Sequence, residues 1–293
     1  MKSSLIVSLL AANLAVAPAV HAGTAAIWKL SDDNSTVYLA GSVHLLRERD
    51  MPYPKAYDTV YEDSEELVFE IDMKEMNAPG AAIKMRQLGT LPTGKTLGDH
   101  LSQETLAALN GYLKANNLPA GMFNQFTPGM VYLTLGSMEA LRQGARPDLG
   151  IEMQFHKKAE KDGKPGSGLE TTAYQMSRFN ELDVETLNDL IKETIEASDQ
   201  NEDTLNSIIE AWKSGDAQSL QKLVHDEMAE RPAVLEILLV ERNQNWIPVI
   251  EEKLAGDKNV MFIVGAAHLV GEGSVVQLLE DKGHKPVQLG TDK

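Results

Sequence analysis

The sequence predicts an α/β (α+β) fold, a central mixed sheet formed by the N- and C-terminal segments with a large helical insertion or cap between them. Three observations predict it. Short β-rich runs crowd the two ends of the 293-residue chain. The stretch between them carries apolar residues at three- and four-residue spacing. One figure occurs once at each end: an apolar run, a glycine, two small residues and a histidine. It is VYLAGSVHLL at Val37 to Leu46 and FIVGAAHLV at Phe262 to Val270. Open α/β sheets place their sites where strands run out, so both histidines stand where function is expected.

The elements follow in order. AIWKL and VYLAGSVH, around the polar SDDNST, predict a β-hairpin. PYPKAYDTVYEDS predicts a short helix entered through prolines, and ELVFEIDM a buried strand. LSQETLAALNGYLKANN has helical period with Ser102 as its cap; FTPGMVYLTLGSMEALRQG opens near Thr127-Pro128 and closes at Gly144; LGIEMQFHKKAEKDG ends at Gly163. KPGSGLE is a turn and a short strand ending at Glu170. Four further amphipathic helices follow, each with Asp, Asn or Ser near its start except the last, AVLEILLVERNQNWIPVIEEKLAG, in which Pro248 predicts a kink. NVMFIVGAAHL is a strand, GEGSVVQLLEDKG a helix and KPVQL a final strand. The helical middle spans about residues 76–255 of a domain covering 23–293.

Residues 1–22 place Lys2 ahead of an apolar run from Leu5 to Ala17 and end in Val20-His21-Ala22. This is the pattern of a secretory signal peptide cut after Ala22, and it predicts a periplasmic protein. The apolar run is short for a membrane anchor, and no later segment is long enough to span a bilayer, so no membrane insertion is expected after cleavage. The chain has no cysteine, which rules out disulfides, a thiol nucleophile and thiolate metal sites. Its net charge of -16 would repel a polyanion, so nucleic acid is excluded as a partner.

His44 and His268 each leave an apolar strand just after a glycine and two small residues, which leaves the imidazole uncrowded. Strand alternation puts Glu70 and Asp72 on one side of their sheet with Ile71 opposite. A carboxylate inside LVFEID has to be paired, hydrogen-bonded or on a metal, and a buried ion pair with an arginine would satisfy it. Glu170 closes GSGLE, where helix capping for TTAYQMSRF is the plain alternative. Glu152 starts a helix, where an acid is favoured anyway. Arg242, in LLVERNQNW, either forms a salt bridge, neutralises the buried acids or stabilises an oxyanion. His100, His156, His225 and His284 sit in polar surroundings and read as surface, capping or turn residues. Two imidazoles with one to three carboxylates make a site for zinc, manganese, cobalt or iron, and without metal the same groups make an acid/base set. The His-Glu-x-x-His helix and the Gly-x-Ser-x-Gly elbow are both absent.

YLAGSVHLL, LVFEIDM, LGIEMQFHKKAEKDGKP, GLETTAYQ, ERNQNW and MFIVGAAHLVGEGSVVQLLEDKGHKPVQL occur in this order. In this the chain resembles the TraB/GumN family, whose relatives include the animal Tiki proteins. The resemblance implies a fold of the erythromycin esterase and ChaN-like group. It also implies a metal-dependent hydrolase acting on peptide or protein substrates, with manganese, cobalt or zinc. On this resemblance His44, His268 and Glu70 are the metal ligands, while Glu70, Glu170 and Arg242 are the catalytic residues, with Asn243 beside Arg242. Where the family often has Asp, this chain has Glu152. Three other readings stand beside this one. A ChaN-like protein would hold haem or metal without catalysis, with Tyr38 and Tyr174 available. An esterase-like enzyme would hydrolyse without metal. A contact regulator would have purely structural histidines.

Overall fold

The computed structural model describes residues 25–197 and 201–290, so the expected signal peptide lies outside the described residues. In chain order the elements are β1 (Ile27–Ser31), β2 (Thr36–Ser42), α1 (Ala56–Asp63), β3 (Glu66–Ile71), α2 (Met73–Asn77), α3 (Ala81–Leu88), α4 (Gln103–Ala115), α5 (Pro128–Arg142) and α6 (Ile151–Asp162). They continue with β4 (Gly166–Glu170), α7 (Thr172–Glu181), α8 (Val184–Glu196), α9 (Asn201–Ser214), α10 (Ala217–Ala229), α11 (Pro232–Leu235), α12 (Glu241–Leu254), β5 (Val260–Gly265), α13 (Val275–Asp281) and β6 (Val287–Gln288).

The six strands form one mixed sheet in the order β4-β3-β5-β2-β1-β6. β4, β3, β5 and β2 run parallel to one another, and β1 is antiparallel to both β2 and β6. The expected α/β class, with sheet strands from both chain ends, is what the structure has. Because the four parallel strands point one way, their C-terminal ends share one edge of the sheet. Register carries this to single residues: Ser42 lies beside Gly265, and Ile71 beside Glu170.

β5 is buried along its whole length, as a strand covered on both faces must be, and this is why its sequence is an unbroken apolar run rather than an alternation. The sheet shares its core with Phe155 of α6, Trp212 of α9 and Trp246 and Ile250 of α12. A second core joins Leu109 and Leu113 of α4, Val131 and Leu135 of α5 and Ile191 of α8. A third, smaller one joins Leu182, Leu187, Val234 and Leu238. The predicted caps form: Ser102, Thr127 and Asp183 each accept a backbone N–H of the first helical turn, as does Ser274, which the sequence reading does not single out, and Gly144 and Gly163 take positive φ beyond their helices.

Two local expectations are corrected. Asp72 does not continue the strand beside Glu70. It turns out as the N-cap of α2, accepting from Lys74 N at 2.8 Å, because a short acceptor side chain satisfies a helix start better than a strand interior. α12 runs continuously through Pro248, and a π-turn at Glu236–Val240 precedes it. His156 is buried rather than exposed, packed edge-on against Phe69; the lysines beside it in sequence occupy other faces of α6.

Candidate functional site

The shared strand edge gathers His44, Glu70, Glu170 and His268 from the ends of all four parallel strands, and α12 brings Arg242 and Asn243 to them. His44 lies two residues beyond β2. Its position is set by α6, whose first amide, Ile151 N, donates to Val43 O at 3.3 Å. Gly150 makes that approach possible, since a Cβ there would stand 2.0 Å from His44 O. The docked helix start delivers Glu152, whose Oε1 lies 2.6 Å from His44 Nδ1 and also accepts the Ser42 hydroxyl. Foremost the Glu152 charge, and then its hydrogen bond, hold His44 above the ordinary imidazole range. The segment beyond His44 is pinned by Arg47, which forks onto Asp50 at 2.7 and 2.9 Å.

Glu70 is 6% exposed. Its Oε1 accepts Gly265 N at 2.6 Å; its Oε2 accepts Arg242 Nη2 at 2.6 Å and Gln175 Nε2 at 3.0 Å. Burial alone would raise this carboxyl, yet it is held well below the ordinary range by the positive charge beside it and by the Gly265 amide. Since His268 is neutral, as its bonds show below, that charge comes from Arg242 and His44.

Glu170 sits behind Arg242. Arg242 Nε reaches its two oxygens at 3.0 and 3.1 Å, Nη2 reaches Oε2 at 2.9 Å, and Trp246 Nε1 donates to Oε1 at 2.9 Å. Burial raises this carboxyl, with Arg242 opposing. Glu170 therefore holds the guanidinium from behind and does not line the cleft.

His268 follows β5 in a short 3-10 turn, Ala266–Leu269, and is 3% exposed. Asn243 Nδ2 donates to Gly273 O at 2.9 Å, so its Oδ1 faces His268 Nδ1, 2.6 Å away. Arg242 Nη1 lies 3.1 Å from His268 Nε2 and donates to Leu238 O as well. A guanidinium has no acceptor, so Nε2 holds the lone pair and Nδ1 the proton. Burial, chiefly, pushes His268 down to about 3. Trp246 packs against the ring at 4.4 Å between centroids.

The convergence point is the floor at Gly265. A Cβ built there would lie 3.2 Å from Glu70 Oε1, 3.6 Å from His268 Cδ2 and 3.7 Å from His44 Nε2. Above it opens a cleft of about 550 Å³ lined by His44, Glu70, Arg242 and His268, continuing into a second of about 370 Å³ past Glu152. Among the described residues no three His, Asp or Glu side chains already close on one ion position. The donor types nevertheless suit a divalent ion, which would take the His268 Nε2 lone pair from Arg242 Nη1. His268 Nε2 and Glu70 Oε1 are 3.8 Å apart, less than twice a ligand bond of roughly 2.1 Å. Both imidazoles also tie Nδ1 to an oxygen, as metal-ligating histidines do.

Sequence reasoning gives no role to Gln175, although it ends the GLETTAYQ motif. Glu152 is weighed there as a helix start and as a departure from the family's Asp, and Asn243 is named beside Arg242 without a role; its fixing of the His268 tautomer depends on Gly273. Of the remaining histidines, His284 Nε2 lies 3.0 Å from Glu251, His100 is half-buried, and the side chain of His225 lies outside the described residues. Neither tyrosine considered for haem lines the cleft: Tyr38 donates to Asp63, and Tyr174 accepts from Asn245.

Comparison with known proteins agrees with the resemblance drawn from the motifs. The TraB/PrgY/gumN family pattern matches residues 26–288. The chain is 23% identical over 246 residues to the uncharacterized protein YbaP of Escherichia coli (strain K12), covering 84% of this chain and 88% of that one. The same figures hold for YbaP of Shigella flexneri. No solved structure matches the chain. With both Gly-x-x-His motifs, Glu70 and Arg242 inside the matched span, the chain belongs to the TraB/PrgY/gumN family.

Proposed function

We propose that the chain is an exported, periplasmic, metal-dependent hydrolase of peptide bonds. The observation that carries this reading is the common setting of His44 and His268. Each places an oxygen on Nδ1 and turns its other edge toward Gly265 and Glu70. His44, His268 and Glu70 would hold manganese, cobalt or zinc. Such an ion, when bound, polarises a carbonyl and lowers the pKa of water. Export is supported by the leader-like first 22 residues.

The chain's own groups supply the rest. Glu152 orients His44, and Asn243 orients His268. Gln175 and the Gly265 amide hold the Glu70 carboxylate in place. Arg242 lines the cleft with its N–H groups taken by Glu70, Glu170, Leu238 O and His268, so it would act on the oxyanion of an attacked peptide carbonyl through its charge rather than by a hydrogen bond. Glu170 and Trp246 fix Arg242 from behind, so this glutamate is a positioning residue and not a base.

The test is purified mature protein with manganese, cobalt or zinc against a peptide mixture, with products identified by mass. Cleavage is expected with an ion and is expected to vanish on chelation and in His44→Ala and His268→Ala. Absence of cleavage with every ion, or cleavage unchanged in both variants, overturns the reading.

One observation favours a second reading. Arg242 already neutralises Glu70 and Glu170, and the His44–Glu152 pair is a ready acid/base couple. An esterase-like hydrolase without metal would use these groups directly. Activity that survives strong chelation decides for it.

A further inference from the structure

Resting on the peptidase reading, we propose that the cleft binds an extended peptide through apolar side chains on both sides of the reacting bond. Two methionine-lined subsites that meet at His44 would receive them. The two cavities share His44, Glu70, Ser137 and Gln175, so they abut at the chemistry rather than lying apart. Met85, Met130 and Met176 wall the larger one; Met73, Met76 and Met153 wall the smaller. Half of the chain's 12 methionines are therefore concentrated here. Each volume, about 550 and 370 Å³, falls in the range of roughly 300–1,000 Å³ that holds small ligand groups.

Charge selects the occupant. A quarter of the chain is charged and its net charge is -16. Yet the ionisable groups lining the two cavities are His44, Glu70, Glu152, Arg242 and His268, all at the reacting point. The methionine walls offer no partner to a charged side chain, and burying one unpaired is costly. Unbranched thioethers adapt to differently shaped apolar groups, so the preference is for apolar side chains in general. Between the lobes, the exposed hydroxyl of Ser137 supplies hydrogen bonding. This apolar, polar, apolar order is that of side chain, backbone and side chain along an extended peptide.

The experiment is fluorescence anisotropy of short labelled peptides with the mature protein, comparing Leu or Met pairs around the central bond with Asp pairs and Lys pairs. Apolar pairs are expected to bind about tenfold tighter or better. Leu133→Asp in the larger subsite and Met153→Asp in the smaller, both half-buried wall positions, should each weaken binding of apolar peptides by about fivefold or more. Leu133→Asp should also gain affinity for a peptide carrying Lys on one side, which shows that the variant is folded. Equal affinity for apolar and charged peptides, or no effect of either variant, overturns the subsites. Selective apolar binding without cleavage by any ion supports the subsites and counts against the hydrolase reading alone. Cleavage without apolar preference does the reverse.

Discussion

Arg242 Nη1 stands 3.1 Å from His268 Nε2, and the next residue along α12, Asn243, accepts the N–H of the other ring nitrogen. Two consecutive helical residues thus fix both the tautomer and the charge beside one imidazole. The same guanidinium bonds Glu70 and Glu170, from two neighbouring strands. One side chain therefore ties together the ends of β3 and β4 and the turn after β5.

Removing that side chain should be strongly destabilising. Arg242→Met leaves two carboxylates, with side chains 8% and 3% exposed, without their cation. Breaking a buried pair in this way costs about 3–5 kcal/mol. The urea midpoint should fall with little change in slope. Arg242→Lys should recover only a minor part, because a single ammonium cannot fork to Glu70, Glu170 and Leu238 O together. A midpoint equal to that of the parent in either variant would show that the network does not hold the sheet edge.

Glu152 should matter to the ion rather than to the fold. Its partner His44 is largely exposed, with a side chain 64% accessible, so the pair adds little to stability. Losing an outer partner of a metal-ligating histidine weakens metal affinity by about 10–100-fold. Glu152→Ala should show that loss by calorimetric titration with manganese, while its melting temperature stays close to the parent's. Unchanged affinity would remove Glu152 from the metal reading.

The strand ends were legible in the sequence because each Gly-x-x-His figure follows an apolar run, and a parallel sheet sends such runs to one edge. Glu70 was legible because a carboxylate inside LVFEID has to be satisfied. The helical partners were not. Glu152 looks like any acid in a first turn; only Gly150, by letting α6 dock on the His44 carbonyl, makes it a histidine partner. Gln175 and Asn243 are polar residues on amphipathic helices, and periodicity says which face is buried but not what that face meets. Asp72 misled for a related reason: strand alternation holds only while the strand lasts, and here the helix cap wins. For Glu170, closing a strand at the site edge suggested chemistry, whereas the arginine that covers it comes from 72 positions downstream.

A pH-dependent prediction concerns the Arg47–Asp50 clamp behind His44. Burial by itself would raise the Asp50 carboxyl, but the bonds and charge of Arg47 outweigh it and hold it below the ordinary value of 3.8. A carboxylate depressed in the folded state contributes its full stability above the unfolded value and loses it as pH falls through the folded one. Wild-type stability should therefore drop below about pH 4, and Asp50→Asn should lower stability at neutral pH while flattening that acid limb. An acid limb identical in the two proteins, followed by urea unfolding at stepped pH, would contradict the assignment.

The sharpest separation of fold from function is Gly265→Ala. Gly265 has φ -49° and ψ 134°, values open to alanine, so the change brings no backbone strain. Its new methyl would stand 3.2 Å from Glu70 Oε1 and 3.7 Å from His44 Nε2. The first distance requires Glu70 to give by a few tenths of an ångström, away from the amide and guanidinium that now hold it. The methyl also fills the point on which both imidazoles converge. Ion binding and cleavage should each fall by about tenfold or more, equivalent to roughly 1.4 kcal/mol or more, while the melting temperature moves by only a few degrees. An alanine variant with full activity would place the reacting centre elsewhere in the cleft. If the protein instead unfolded, the Glu70–Gly265 contact would be part of the core rather than of the chemistry.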